Sequence, residues 1–214
     1  ALEAEGDVLV SIETELPELL AVKAGQTVEG LPETVEVKTG SGEVKSMAIT
    51  WNNTADRFTE DYGTGSVTGT VEGGVTAIGI PLTVMIPVEI VPANTLYFID
   101  VVEGDPAKLT TTEPYEAVKA LLGDQLLNQS YDQIIGADGT WGRVDTDAGT
   151  RGASSTTDKT DTGIYGHDNA AGETLTYQLT LPAGTYTITS AHREWWNMTR
   201  PMDITLTAED GKVL

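Results

Sequence analysis

The segment HREWWNMTR, His192 to Arg200, sets two adjacent tryptophans between charged residues in a chain that holds four tryptophans in all. Those side chains suit one kind of chemistry. A sugar presents a flat face of C–H groups and a rim of hydroxyls, so its binder needs an open aromatic plane and polar groups that replace water at the hydroxyls. Trp195 and Trp196 offer the planes; Glu194 and Arg200 offer fork-shaped hydrogen-bonding groups. Neighbouring residues of an extended strand point to opposite faces, so one indole is expected to pack inward while the other faces a groove or solvent. The same residues also admit a structural use, with Glu194 and Arg200 as an ion pair and both rings capping a sandwich edge. Trp141, in the glycine-flanked stretch GTWG, is a further candidate, either as a ligand platform or as a loop anchor. Tyr165 and His167 rank behind these.

Other chemistries find less material. The chain carries no G-x-S-x-G elbow, no H-E-x-x-H and no phosphate-cradling loop, and it has two histidines, His167 and His192. A carboxylate pair for glycoside hydrolysis would have to join Glu194 to a loop aspartate that spacing does not single out, so a non-catalytic chain is expected. Asp138, Asp145, Asp147, Asp158, Asp161 and Asp168 are hard oxygen ligands of the kind calcium prefers. Asp145-x-Asp147-x-Gly149 starts like an EF-hand loop but lacks the third acid and the terminal glutamate, which excludes that motif. No cysteine is present, which removes disulfides and thiolate metal sites.

Charge narrows the partners. With 33 Asp and Glu against 12 Lys and Arg, the net charge of -21 repels phosphate backbones and anionic lipid surfaces, so neither nucleic acid nor membrane insertion is expected. No run of about 20 apolar residues could span a bilayer. The opening ALEAEGDVLVSIE lacks the basic-then-apolar layout of a secretion signal, as expected of a processed chain or an internal piece.

The elements that must position these side chains read as all-β with one helix. Glycine, threonine and valine are abundant, and short alternating segments dominate. From Val8 to Val91 the segments VLVSIE, LLAVKAG, TVEVKT, VKSMAITWN, GSVTGTV and IPLTVMIPVEI are separated by Gly, Pro, Asn and Asp. Alternation in TVEVKT and SMAITW buries one face and wets the other, as in a sandwich of antiparallel sheets. Glu33, Glu36 and Glu43 fall at outward positions, and Trp51 is expected to fill the space between sheets. Glycines in the turn Thr39 to Val44 supply positive φ. A semi-rigid junction follows at Pro92, Ala93 and Asn94. Thr112 then reads as the N-cap of one helix with Ala117, Val118, Leu121 and Leu122 on its apolar stripe and Gly123 as its stop. Residues 136–172 are expected to be mostly loop, with a short strand at WGRVD. LTYQLTL is expected to form a hairpin with TYTITSAHREWW through Pro182-Ala183-Gly184, and Asp210-Gly211 marks a last turn.

Taken in order, AVKAGQTVEGLPETVEVKTGSGEVKSMAITWN, Phe58, Tyr62 and SVTGTVEG resemble the group 4 bacterial immunoglobulin-like domains. That resemblance implies a seven-stranded sandwich used as a spacer or adhesive module in exported bacterial proteins. The run YQLTLPAGTYTI followed by EWWNMTR and PMDI resembles malectin-like and galactose-binding-like jelly rolls, of the kind attached to glycoside hydrolases such as arabinofuranosidases. The second resemblance implies carbohydrate binding and allows a structural calcium. Two domains are therefore expected: 1–93, immunoglobulin-like, and 94–214, a jelly-roll module. A jelly roll closes with about eight strands, and fewer are countable after Leu96, so the second module is expected to be incomplete at its C-terminus and to belong to a larger polypeptide. The functional expectation is non-catalytic carbohydrate-binding and spacer modules of a secreted or cell-wall-associated bacterial glycan-degrading enzyme. The alternative is a surface adhesin or purely structural spacer without a sugar site.

Overall fold

The computed structural model describes residues 7–101, 112–136, 139–144, 149–151, 163–165, 174–193 and 203–214. It is mostly β with one helix. Two compact units, Ala1–Leu181 and Pro182–Leu214, are distinguished by their internal contacts.

All six strand-like segments of the first part fold as strands: β1 Leu9–Ile12, β2 Leu20–Lys23, β3 Thr34–Thr39, β4 Val44–Trp51, β5 Gly63–Val71 and β6 Thr83–Val91. Their order in one curled sheet is β1-β3-β4-β5-β6-β2. The curl arises in β4, whose residues Val44–Ala48 pair with β3 while Ile49–Trp51 pair with β5. A single long strand thereby serves both halves of the sandwich. All pairs are antiparallel except β2 with β6, which run parallel with Leu20 opposite Val88 and Lys23 opposite Val91.

Alternation decides which side chains enter the core. In β3, Val35, Val37 and Thr39 are buried while Thr34, Glu36 and Lys38 are exposed, as the period of two requires. Leu9, Val35, Val37, Ile49 and Val71 form one buried cluster; Val22, Val28, Phe58, Val67, Ile86, Val88 and Ile90 form another. Trp51 packs against both, and its indole N–H donates to the Pro32 carbonyl at 2.8 Å, which satisfies its polar atom. Asn53 fixes the neighbouring loop: its Oδ1 accepts from the Val28 N–H and its Nδ2 donates to the Val28 carbonyl, both at 2.8 Å.

At the β3–β4 turn only one of the two expected glycines has positive φ, Gly42 at 88°. Gly40 is needed for room instead, since a Cβ there would lie 2.8 Å from the Val8 side chain. Asp7, just before β1, ties this turn to the start of that strand, accepting from the Ser41 N–H at 2.9 Å and from the Ser41 hydroxyl. The Ser41 hydroxyl, then Thr39 and the Ser41 N–H, pull the Asp7 carboxyl down to about 2.

The one α-helix among the described residues, α1, spans Glu113–Leu122 and stops where Gly123 takes φ 57°. Thr112 occupies the N-cap without a side-chain cap; its own N–H instead donates to the Glu113 carboxylate at 2.9 Å. Backbone explains the exchange, because Thr112 has ψ -8° and is already turned into the helical region, not extended as a capping hydroxyl requires. Tyr115, Val118 and Leu122 join Leu126, Phe98, Ala21 and Val91 in a third buried cluster, so α1 lies on the outer face of β2 and β6. Gln125 secures the junction, its Nε2 donating to the carbonyls of Ala93 at 3.0 Å and Thr95 at 2.8 Å.

Residues 96–101 of the expected strand LYFIDVV form no strand and are held by isolated contacts, Leu127 N–H to Leu96 O at 2.7 Å and Asp100 N–H to Tyr131 O at 3.0 Å, while Val102 lies outside the described residues. Beyond it, β7 Trp141–Arg143 pairs with β10 Tyr177–Leu179, and β8 Gly149–Arg151 pairs with β9 Gly163–Tyr165. This corrects the expected hairpin of LTYQLTL with the segment after Pro182. In the second unit residues 185–193 form no strand, and Ile188 is 54% exposed there. The expected Asp210-Gly211 turn is present, with Thr207 opposite Val213 and Gly211 at φ 81°.

Gly69 of β5 lies under β4. A Cβ there would come within 2.6 Å of Ile49 and 2.9 Å of Trp51. Gly69→Ala is expected to lower stability by about 1–3 kcal/mol through overpacking, measured by urea unfolding, whereas Gly25→Ala, in open space but at φ 74°, should act only through backbone strain.

Candidate functional site

The second part of the first unit gathers its polar groups around β7. This strand lies between β10 on one side and residues 133–135 on the other, where the Arg143 N–H donates to Gln133 O and the Ile135 N–H to Arg143 O, both at 2.8 Å. Gly142, at its centre, has φ 138°, and a Cβ would meet the backbone of Ile135 at 2.7 Å. Only glycine fits such a position, because neither the conformation nor the neighbouring main chain leaves room.

Ionisable groups are buried beside it. Arg143 is 1% exposed, Asp100 2% and Asp132 9%. The Tyr177 hydroxyl donates to Asp132 Oδ1 at 2.9 Å, and the same oxygen accepts from the Gln133 N–H at 2.9 Å. Burial, then the charge of Asp132 and the hydrogen bond to it, hold the Tyr177 phenol far above its ordinary range, against an opposing pull from Arg143. A phenol so placed keeps its proton at neutral pH and orients the carboxylate; it is no base. Asn128, fully buried, completes the region by accepting from the Phe98 N–H at 3.1 Å and donating to the Phe98 carbonyl at 2.6 Å. Apart from the half-buried Gln133 and Tyr177, these groups are buried, and they support β7.

Trp141 begins β7 and is 4% exposed, with its ring 6.2 Å from that of Tyr97 at 58°. The Tyr97 hydroxyl donates to Thr180 O at 3.0 Å. An indole enclosed in this way fixes the strand and shows no open face. Tyr165 closes β9, half-buried. Glu194, Trp195, Trp196, Arg200, His167 and the loop aspartates Asp138, Asp145, Asp147, Asp158, Asp161 and Asp168 lie outside the described residues. Among the described residues, no three His, Asp or Glu side chains converge to hold a metal ion, and no helix is long and apolar enough to cross a membrane.

Asp132, Arg143 and Tyr177 were not singled out by sequence reasoning. Tyr177 and Asp132 are 45 positions apart, and no local pattern joins them. The one available signal was the glycine after Trp141, whose strict backbone demand marks the strand.

The curled sheet, its closing parallel pair and Trp51 between the two buried clusters describe one kind of module. Residues 16–75 match the bacterial Ig-like domain (group 4) family. The Ig-like match runs from the approach to β2 through β5, and β6 completes the sandwich beyond it. An Ig-like domain is a non-catalytic type of module. Neither a curated protein nor a solved structure matches the chain.

Tyr177→Phe removes a hydrogen bond to a buried carboxylate and is expected to cost about 1–3 kcal/mol at neutral pH. The folded phenol keeps its proton where the unfolded one, near its ordinary value of 10.0, releases it. Its stabilising contribution is therefore complete below pH 10 and is lost as pH rises beyond. Chemical unfolding measured from pH 8 upward should show a shallower alkaline loss in Tyr177→Phe; Tyr97 and Tyr115, also raised by burial, leave part of the slope.

Proposed function

We propose that this chain is a non-catalytic spacer segment of an exported bacterial polypeptide, in which the Ig-like module and the residues after Asn94 hold other parts at a fixed separation. The observation that carries this reading is the junction. Ala21 and Val91 of the sandwich share a buried cluster with Phe98, Tyr115, Val118, Leu122 and Leu126, and Gln125 binds the connecting loop. A connection fastened by a core cluster transmits position, unlike a flexible linker. The enclosed Trp141 also supports a structural use of the polar region around β7.

A second reading, polysaccharide recognition by the segment after Leu96, is supported by Trp195 and Trp196 between Glu194 and Arg200. On this reading Leu96 to Leu214 is a jelly-roll module of a glycan-degrading enzyme, with one indole as stacking platform, Glu194 or Arg200 on the hydroxyls, and a structural calcium among the loop aspartates.

Affinity electrophoresis on arabinan, xylan, galactan and mucin glycans separates the two. The spacer reading expects unchanged mobility in every gel. Retardation that Trp195→Ala or Trp196→Ala weakens by about 1–3 kcal/mol, without a matching loss of melting temperature, would establish the second reading instead.

A further inference from the structure

We propose that residues 185–189 pair with the same residues of a second copy of this chain, as an antiparallel two-stranded ribbon about a twofold axis at Thr187. Such a contact is independent of the spacer reading and of the glycan reading alike.

The stretch reads TYTIT, the alternation of a strand. Within one chain it joins no sheet. Residues 182–193 are all exposed, Tyr186 at 38% and Ile188 at 54%, and among the described residues no main-chain group of residues 185–190 bonds to another main-chain group. Open strand-forming main chain is a template for a further strand, and sequences that must stay alone blunt it with charge or proline. Residues 185–191 carry neither. Both ends of the stretch are nonetheless ordered: the Tyr186 hydroxyl donates to the Pro182 carbonyl, and the Ser190 hydroxyl lies 2.8 Å from His192 Nε2.

Self-complementarity decides the occupant, because TYTIT reads almost the same in both directions. Turned about Thr187, one copy sets Thr185 opposite Thr189, Tyr186 opposite Ile188, and Thr187 opposite itself. One face of the ribbon then holds threonines alone, and the other holds aromatic-to-β-branched pairs; both combinations stabilise antiparallel neighbours. The twofold makes the contact isologous, so each off-axis pair is formed twice. A slip of one residue sets both Tyr186 and Ile188 against threonine and loses the matched faces. Charge also selects this stretch. At a net charge of -21 two copies repel, yet no acidic residue lies between Glu173 and Glu194, so the two segments meet without setting carboxylates against one another.

The chain has no cysteine, so a single introduced thiol reports the register. In the twofold ribbon Thr187 meets its own counterpart with Cα atoms about 4.5–5.5 Å apart, within disulfide reach, whereas Thr185 lies about 13 Å along the strand from its counterpart. Sedimentation velocity on the full chain should show a monomer–dimer equilibrium that moves toward dimer as concentration rises. In a glutathione buffer Thr187→Cys should form several-fold more covalent dimer than Thr185→Cys. Thr187→Glu sets two like charges directly opposite each other and should return the chain to monomer with an unchanged melting temperature, since the position is exposed. A chain that stays monomeric at every concentration overturns the ribbon. Cross-linking of Thr185→Cys as complete as that of Thr187→Cys, or a dimer that Thr187→Glu leaves intact, overturns it equally. None of these readouts involves a glycan, so the spacer and glycan readings are judged separately.

Discussion

The outer face of β6 sets the condition that the rest of the first unit meets. In a two-layer sandwich that face looks to water, and the first half of β6 obeys, with Thr83 and Met85 exposed. From Val88 to Val91 the strand is buried without interruption, which places an apolar valine and the carboxylate of Glu89 where solvent should be. Such a face needs a cover. The chain supplies it at once: Pro92 to Thr95 turn back, Gln125 holds the turn, and α1 with Phe98 and Leu126 completes a third layer. The segment after the sandwich is thus tied to it by the hydrophobic effect and not by the linker.

Around β7 the governing term is different. Arg143, Asp132 and Asp100 are removed from water, with the half-buried Tyr177 bonded to Asp132, and groups of this kind are held in place by geometry more than by net gain. Gly142 makes that geometry possible by letting the main chain of residues 133–135 approach. Polar groups in such a position give a strand a single register, which three-residue strands such as β7 and β10 would not reach through packing alone.

How much of this was legible follows the range of each signal. Alternation in TVEVKT and the stripe from Ala117 to Leu122 are local, and both elements formed where the pattern placed them. The turns at Gly42 and Asp210-Gly211 were equally legible because positive φ has few hosts. Partnership was not. Alternation marks Tyr177 and Leu179 as strand residues, yet it says nothing about whether the next strand or β7 will receive them, and β7 does. For the same reason the stripe of α1 announced a buried side without naming Ala21 and Val91 as what it buries against. The candidate site was legible only as residue types: Trp141 was singled out, but its enclosure by Tyr97 depends on contacts across tens of residues.

The paired amide bonds of Asn53 and Asn128 put a limit on how far this chain's composition can drift. With 33 acidic residues, the protein tolerates aspartate over most of its surface. At these two positions it cannot, because each side chain must accept from a backbone N–H with one atom and donate to the same residue's carbonyl with the other. A carboxylate repeats the first bond and turns the second into two oxygens facing each other. Deamidation of either asparagine would make that change, so at these two positions a chemical modification would act on the fold as a substitution does.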